Sequence, residues 1–101
     1  MRIKARFFTI LREMTGKRED ILNVENDANV GRVLESLSET YGSDFSEYLF
    51  KGRRLRDHIQ ILVDGRNIKT LNGLDTRLEE DSTLAIIPPV GGGTSGTSDN
   101  V

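Results

Sequence analysis

Asn29-Val30-Gly31-Arg32-Val33-Leu34-Glu35-Ser36-Leu37-Ser38-Glu39-Thr40-Tyr41-Gly42 is the one stretch of this chain with a strong helical period. Val30, Val33, Leu34, Leu37 and Tyr41 fall on one face, and Arg32, Glu35, Ser36 and Glu39 on the other. Asn29 stands where an N-cap belongs, since its side-chain oxygen can accept from an unpaired N–H of the first turn. Gly42 stands where the helix must stop. The spacing predicts one main helix over 30–41, about three turns long.

On both sides of that helix the period drops to two. Within residues 2–11, Ile3, Ala5 and Phe7 alternate with Arg2, Lys4, Arg6 and Phe8, which predicts a strand with one buried face. Met14-Thr15-Gly16-Lys17 supplies turn residues, and Asp20-Ile21-Leu22-Asn23-Val24 returns as a second strand to close a hairpin. After the helix, residues 43–50 can form a short second helix resting on Phe45 and Leu49, followed by a basic loop, Lys51-Gly52-Arg53-Arg54-Leu55-Arg56. Ile59–Val63 is a strand, and Asp64-Gly65 is a two-residue hairpin turn into Arg66-Asn67-Ile68. Residues 69–83 are polar and turn-rich, anchored by Leu71, Leu74 and Leu78. Leu84-Ala85-Ile86-Ile87 is the last strand, stopped by Pro88-Pro89, which cannot donate to a ladder. This order predicts an α+β fold: a sheet of about five strands with one main helix packed across it.

A length of 101 residues suits one domain, placed here at residues 1–90, with a flexible glycine-rich tail over 91–101. The 14 basic and 16 acidic side chains nearly cancel, leaving a net charge of -2 and none of the positive field expected of a nucleic-acid binder. There are no cysteines, so thiolate metal sites, disulfides and thioester formation on a side chain are excluded. No apolar run is long enough to span a bilayer. Met1–Arg6 alternates charged and apolar residues where a signal peptide needs an unbroken apolar stretch, so a cytoplasmic location is expected.

The run Ile86-Ile87-Pro88-Pro89-Val90-Gly91-Gly92-Gly93 resembles the end of the molybdopterin synthase small subunits, within the sulfur-carrier and archaeal ubiquitin-like modifier family. Phe7–Gly16 is similar to that family's first strand and turn, Asn29–Leu37 to its helix start, and Ile61–Ile68 with Leu71 and Leu74 to its central hairpin. The resemblance covers residues 1–93 in consistent order and implies a ubiquitin-like β-grasp. It implies a carrier rather than an enzyme, with no bound cofactor. The C-terminal glycine would be adenylated by a ubiquitin-activating-like enzyme that uses ATP. A sulfur donor then yields a thiocarboxylate for the molybdopterin synthase large subunit, or, in the modifier branch, a lysine takes the acyl group.

The residues suit that chemistry. Glycine lacks a Cβ and can pass through a narrow channel, while Pro88 and Pro89 hold the base of the tail extended and reduce its ordering cost. Matching Pro88-Pro89-Val90 places Gly92 and Gly93 on the functional pair and Gly91 in a variable position. The chain departs from the pattern in continuing through Thr94–Val101. Either a protease removes that segment, or the chain is an inactive relative.

Phe8, Leu71 and Ile87 fall on the side of their strands away from the expected core, and by resemblance would form the apolar patch that docks partners; scattered surface hydrophobics are the alternative. Arg12 occupies the position of a family arginine that can meet the activating enzyme. The Lys51–Arg56 cluster lacks the interleaved aromatics of a strand-stacking surface and is expected to be a solvated loop. His58 has no partners at metal spacing, and Asp75, Glu79, Glu80 and Asp81 read as a charged turn.

Overall fold

The sheet is built outward from β1 (Arg2–Phe7) in a computed structural model that describes residues 1–89. Ile3, Ala5 and Phe7 are fully buried, while Arg2, Lys4 and Arg6 lie on the opposite face. β2 (Glu19–Asn23) pairs antiparallel with β1, with Arg2 opposite Asn23 and Arg6 opposite Glu19. On its other side β1 takes β7 (Thr83–Ile87) in parallel, with Phe7 opposite Ile86. β5 (Gln60–Val63) runs antiparallel to β7, and β6 (Arg66–Asn67) closes the far edge. The sheet order is β2-β1-β7-β5-β6.

The main helix, α2, spans Val30–Tyr41 and buries Val30, Val33, Leu34 and Leu37 against the sheet. Asn29 caps it as the sequence implied, its Oδ1 accepting from the Arg32 backbone N–H at 2.8 Å. Gly42, at φ 97°, closes it by donating to the Ser38 carbonyl at 2.9 Å. α3 (Ser43–Leu49) adds Phe45 and Leu49 to the core. Each such apolar side chain contributes about 1.5–3 kcal/mol on burial.

Three sequence expectations need revision. β1 ends at Phe7, and residues Ile10–Thr15 form a short helix, α1, instead of continuing the strand to residue 11. The strand gives way to a turn in which the Leu11 N–H donates to the Phe8 carbonyl at 3.1 Å and the Arg12 N–H to the Thr9 carbonyl at 2.9 Å. The chain instead turns and buries Leu11 completely. Second, the basic segment is a ribbon of its own, β3 (Phe50–Lys51) and β4 (Arg54–Leu55), turning at Gly52 with φ 65°. Third, Ile68 leaves β6 and opens a 3-10 turn over Ile68–Thr70. The expected tail, 91–101, lies outside the described residues. Among those described, no helix is long and apolar enough to cross a membrane.

One polar contact ties the end of α2 to the hairpin. The Tyr41 hydroxyl donates to Asp20 Oδ2 at 2.6 Å, and burial, then that hydrogen bond and the Asp20 charge, push the phenol up to about 12. A raised phenol pKa means that the fold prefers the protonated form. Its stabilisation is therefore complete below the ordinary value of 10.0 and is lost as pH rises through about 12. Residue-resolved NMR titration should show the Tyr41 ring deprotonating near 12; a midpoint at 10.0 with the fold intact would contradict the contact.

Candidate functional site

The site lies where β1 and β7 end side by side. Because Phe7 stands opposite Ile86 in a parallel ladder, Phe8 and Ile87 follow as neighbours just past it, on the face away from α2. Both are half-buried. Gln60 of β5 stands opposite Ile87 on the other side. The inward-outward alternation of β7 continues past its last ladder residue: Leu84, Ile86 and Pro88 are buried, while Pro89 is exposed. Pro88 is therefore held in the domain at the end of β7, and Pro89 is exposed beyond it.

Two guanidinium groups flank Phe8. Arg6 lies 5.4 Å from the ring centroid and Arg12 lies 5.5 Å from it. Arg12 is held there by its Nε, which donates to the Phe7 carbonyl at 3.0 Å. Contacts of this kind are worth about 0.5–1 kcal/mol each at exposed sites. Together they flank the ring with positive charge.

The backbone that aims Phe8 is strained. Leu11 N–H donates to the Phe8 carbonyl at 3.1 Å, closing a four-residue turn in which Thr9 has φ 51° and ψ −123°. Those angles suit glycine, and a β-branched residue there costs about 1–3 kcal/mol. The turn swings the chain from β1 into α1 while leaving Phe8 on the outer face.

The ThiS family model matches residues 5–93. This chain belongs to the ThiS family.

Among its relatives, small archaeal modifier protein 3 of Haloferax volcanii is 33% identical over 93 residues, spanning 92% of this chain and 100% of the relative. A putative sulfur carrier protein of Archaeoglobus fulgidus is 33% identical over 64 residues, covering 63% of this chain and 73% of its own. The solution structure of small archaeal modifier protein 1 from Methanosarcina acetivorans superposes with a TM-score of 0.78 at 36% identity, over 91% of this chain and 96% of that one. The ThiS-family fold here is thus a ubiquitin-like β-grasp, and the chain is a small protein of the sulfur-carrier and archaeal modifier group.

Within this ThiS-family domain the expected patch residues are distributed unevenly. Phe8 and Ile87 are brought together. Leu71 caps the 3-10 turn after β6, packs against the core and stands on the far side of β5 from Ile87. Gly91, Gly92 and Gly93 lie outside the described residues. Sequence reasoning did not pick out Leu62 and Ala85, which face each other on the outer sheet face between these positions. Ile59–Val63 is almost continuously apolar, and an unbroken apolar run hides which alternate residues face out. Arg6 was legible, since the period of two already put it on the face of Phe8. His58 and the Lys51–Arg54 ribbon are exposed. Asp81 pairs with Arg2 at 2.9 Å in a surface turn. Among the described residues there is no cluster of three His, Cys, Asp or Glu side chains able to hold a metal.

Proposed function

We propose that this chain is a sulfur carrier whose working group is the carboxylate of Gly93, and that it serves as the small subunit of a molybdopterin synthase. The observation that carries the reading is where the family match ends. It runs to Gly93, and a relative aligned over its whole length covers 92% of this chain. In sequence Gly93 follows the Pro88-Pro89 end of β7, whose first proline is buried.

In this reading a protease first frees the Gly93 carboxylate by removing Thr94–Val101. A carboxylate oxygen attacks the α-phosphorus of ATP in a ubiquitin-activating-like enzyme, pyrophosphate departs, and an acyl-adenylate forms. Hydrosulfide attacks the acyl carbon, AMP leaves and the S–H proton is lost to solvent, giving a thiocarboxylate. The ATP belongs to the activating enzyme, and the carrier itself holds no cofactor. The synthase large subunit receives the loaded tail. Phe8, Ile87 and Pro89, with Leu71 farther along the same end of the sheet, make the docking surface, and Arg12 adds a charged contact.

A second reading has its own support: two relatives bear the name of modifier, among them one at 33% identity. There the amine of a substrate lysine takes the place of sulfur, and AMP leaves as an isopeptide bond forms. Intact-mass analysis of protein isolated from its native host separates the two. A free protein ending in glycine and heavier by one oxygen-to-sulfur exchange is the expected result. Finding the chain only as higher-mass conjugates with branched lysine peptides would replace the first reading by the second.

The docking surface is tested by Ile87→Asp. The side chain is half-buried on the outer face, so Tm should move by no more than about 8 °C. Binding to the activating enzyme should weaken at least about tenfold, as for a central apolar contact. Unchanged affinity would remove Ile87 from the surface.

A further inference from the structure

The two edges of the sheet are unlike. β6 is two residues long and passes at once into a 3-10 turn, so it offers almost no free ladder. β2 is five residues long, contains no proline, and pairs with β1 in unbroken register, while among the described residues nothing pairs with its outer side. Its middle residue, Ile21, is 48% exposed, the most exposed large hydrophobic side chain among those described.

Hydrogen-bond parity shows what that edge presents. Phe7 N–H donates to the Arg18 carbonyl at 2.9 Å, and Val24 N–H to the Met1 carbonyl at 2.9 Å. With Ile3 opposite Leu22 and Ala5 opposite Asp20, these contacts assign the β1-directed groups of β2 to residues 18, 20, 22 and 24. Glu19, Ile21 and Asn23 therefore aim their N–H and C=O groups away from the sheet. Lys4 agrees, since its N–H donates to Ser82 on the β7 side.

We propose that β2 is a self-association edge at which a second copy of this chain pairs antiparallel, Ile21 against Ile21, to make a continuous ten-stranded sheet. A two-fold axis through Ile21 puts Glu19 opposite Asn23 of the second copy and the reverse, and all three are outward-directed residues, so each pair exchanges both of its hydrogen bonds. No like charges meet across the ladder. Just beyond it, Lys17 comes opposite Glu25 of the second copy, a contact of opposite sign at each end. The apolar side chain most exposed in the single copy becomes the central cross-strand pair.

Strands of this length span about 17 Å and bury less than the roughly 1,000 Å² of a stable interface. The dimer is accordingly weak, with a dissociation constant on the order of 0.1–1 mM. The axis sends the two Pro88 ends in opposite directions and keeps both outside the ladder, so each copy can present its tail while paired. This holds for a sulfur carrier and a modifier alike.

The test uses the full 101-residue chain in sedimentation velocity and amide hydrogen exchange from about 20 μM to about 2 mM. The expected result is a concentration-dependent dimer in which the Glu19, Ile21 and Asn23 amides gain protection together, while Asp20 and Leu22 are protected throughout. Ile21→Lys, which places two ammonium groups at the axis, should weaken association at least tenfold with the remaining amide shifts unchanged. A monomer at every concentration, a dimer that protects other residues, or a dimer unaffected by Ile21→Lys would each overturn the proposal. If those three amides respond only to added activating enzyme, the edge belongs to a strand of that partner and not to a second copy.

Discussion

A chain ending at Gly93 is expected to support ATP–pyrophosphate exchange at least about a hundredfold faster than the chain that continues through Thr94–Val101. The reason lies in where the free carboxylate stands relative to the buried Pro88. Exchange needs a carboxylate oxygen in line with the α-phosphorus of ATP, and misplacement by about 1 Å can already cost about a hundredfold. Eight further extended residues span about 26 Å. They also end on side chains that do not share the slim profile of glycine. The measurement compares the 101-residue protein with chains ending at Gly92 and Gly93, using the cognate activating enzyme. The two short chains also decide the register, because only the chain of correct length should exchange at the full rate. Equal exchange by the long chain, with its mass showing the extension still attached, would refute the assignment of Gly93.

Phe7→Ala is expected to cost about 3–5 kcal/mol, a large share of the roughly 5–15 kcal/mol that holds a domain of this size together. Phe7 is fully buried at the end of β1 and meets two other rings edge-on: Tyr41 at 5.8 Å and Phe45 at 6.1 Å between centroids. Through it the first strand is packed against both α2 and α3. Truncation removes those contacts and leaves a cavity that rigid neighbours cannot fill. Thermal unfolding should show Tm falling by at least about 12 °C, and Phe7→Leu, which refills most of the volume, should lose less. A fall under about 4 °C for the alanine variant would mean that this junction contributes little.

Local pattern carried much of the architecture. The period of two in Ile3-Ala5-Phe7 and the 3.6 period of Val30-Val33-Leu34-Leu37 named the faces that are buried, because burial acts on every residue of an element alike. Asn29 and Gly42 marked the helix ends through their own backbone chemistry, and Asp64-Gly65 marked its hairpin. Pro88-Pro89-Val90-Gly91-Gly92-Gly93 was a covalent fact about the tail, readable without any fold, and the family match ends on its last residue.

Other features depended on what lies across space. That β1 stops at Phe7 follows from the turn closed by Leu11 on the Phe8 carbonyl, which no local preference in Phe8-Thr9-Ile10-Leu11 announces; Thr9 even takes a backbone conformation that its own side chain disfavours. Pairing β1 with β7 in parallel brought Phe8 beside Ile87 from opposite ends of the sequence, and the same sheet order set Leu71 apart from them. The stacking of Arg12 on Phe8 needed α1 to fold back over the strand end. The sequence alone determined the buried face of the first strand, the main helix and the Asp64-Gly65 hairpin, since periodicity and turn chemistry are local. Only the tertiary structure decided which side chains gather at the ends of β1 and β7, because neighbours across a sheet are chosen by register and strand order, and neither is written in any one segment.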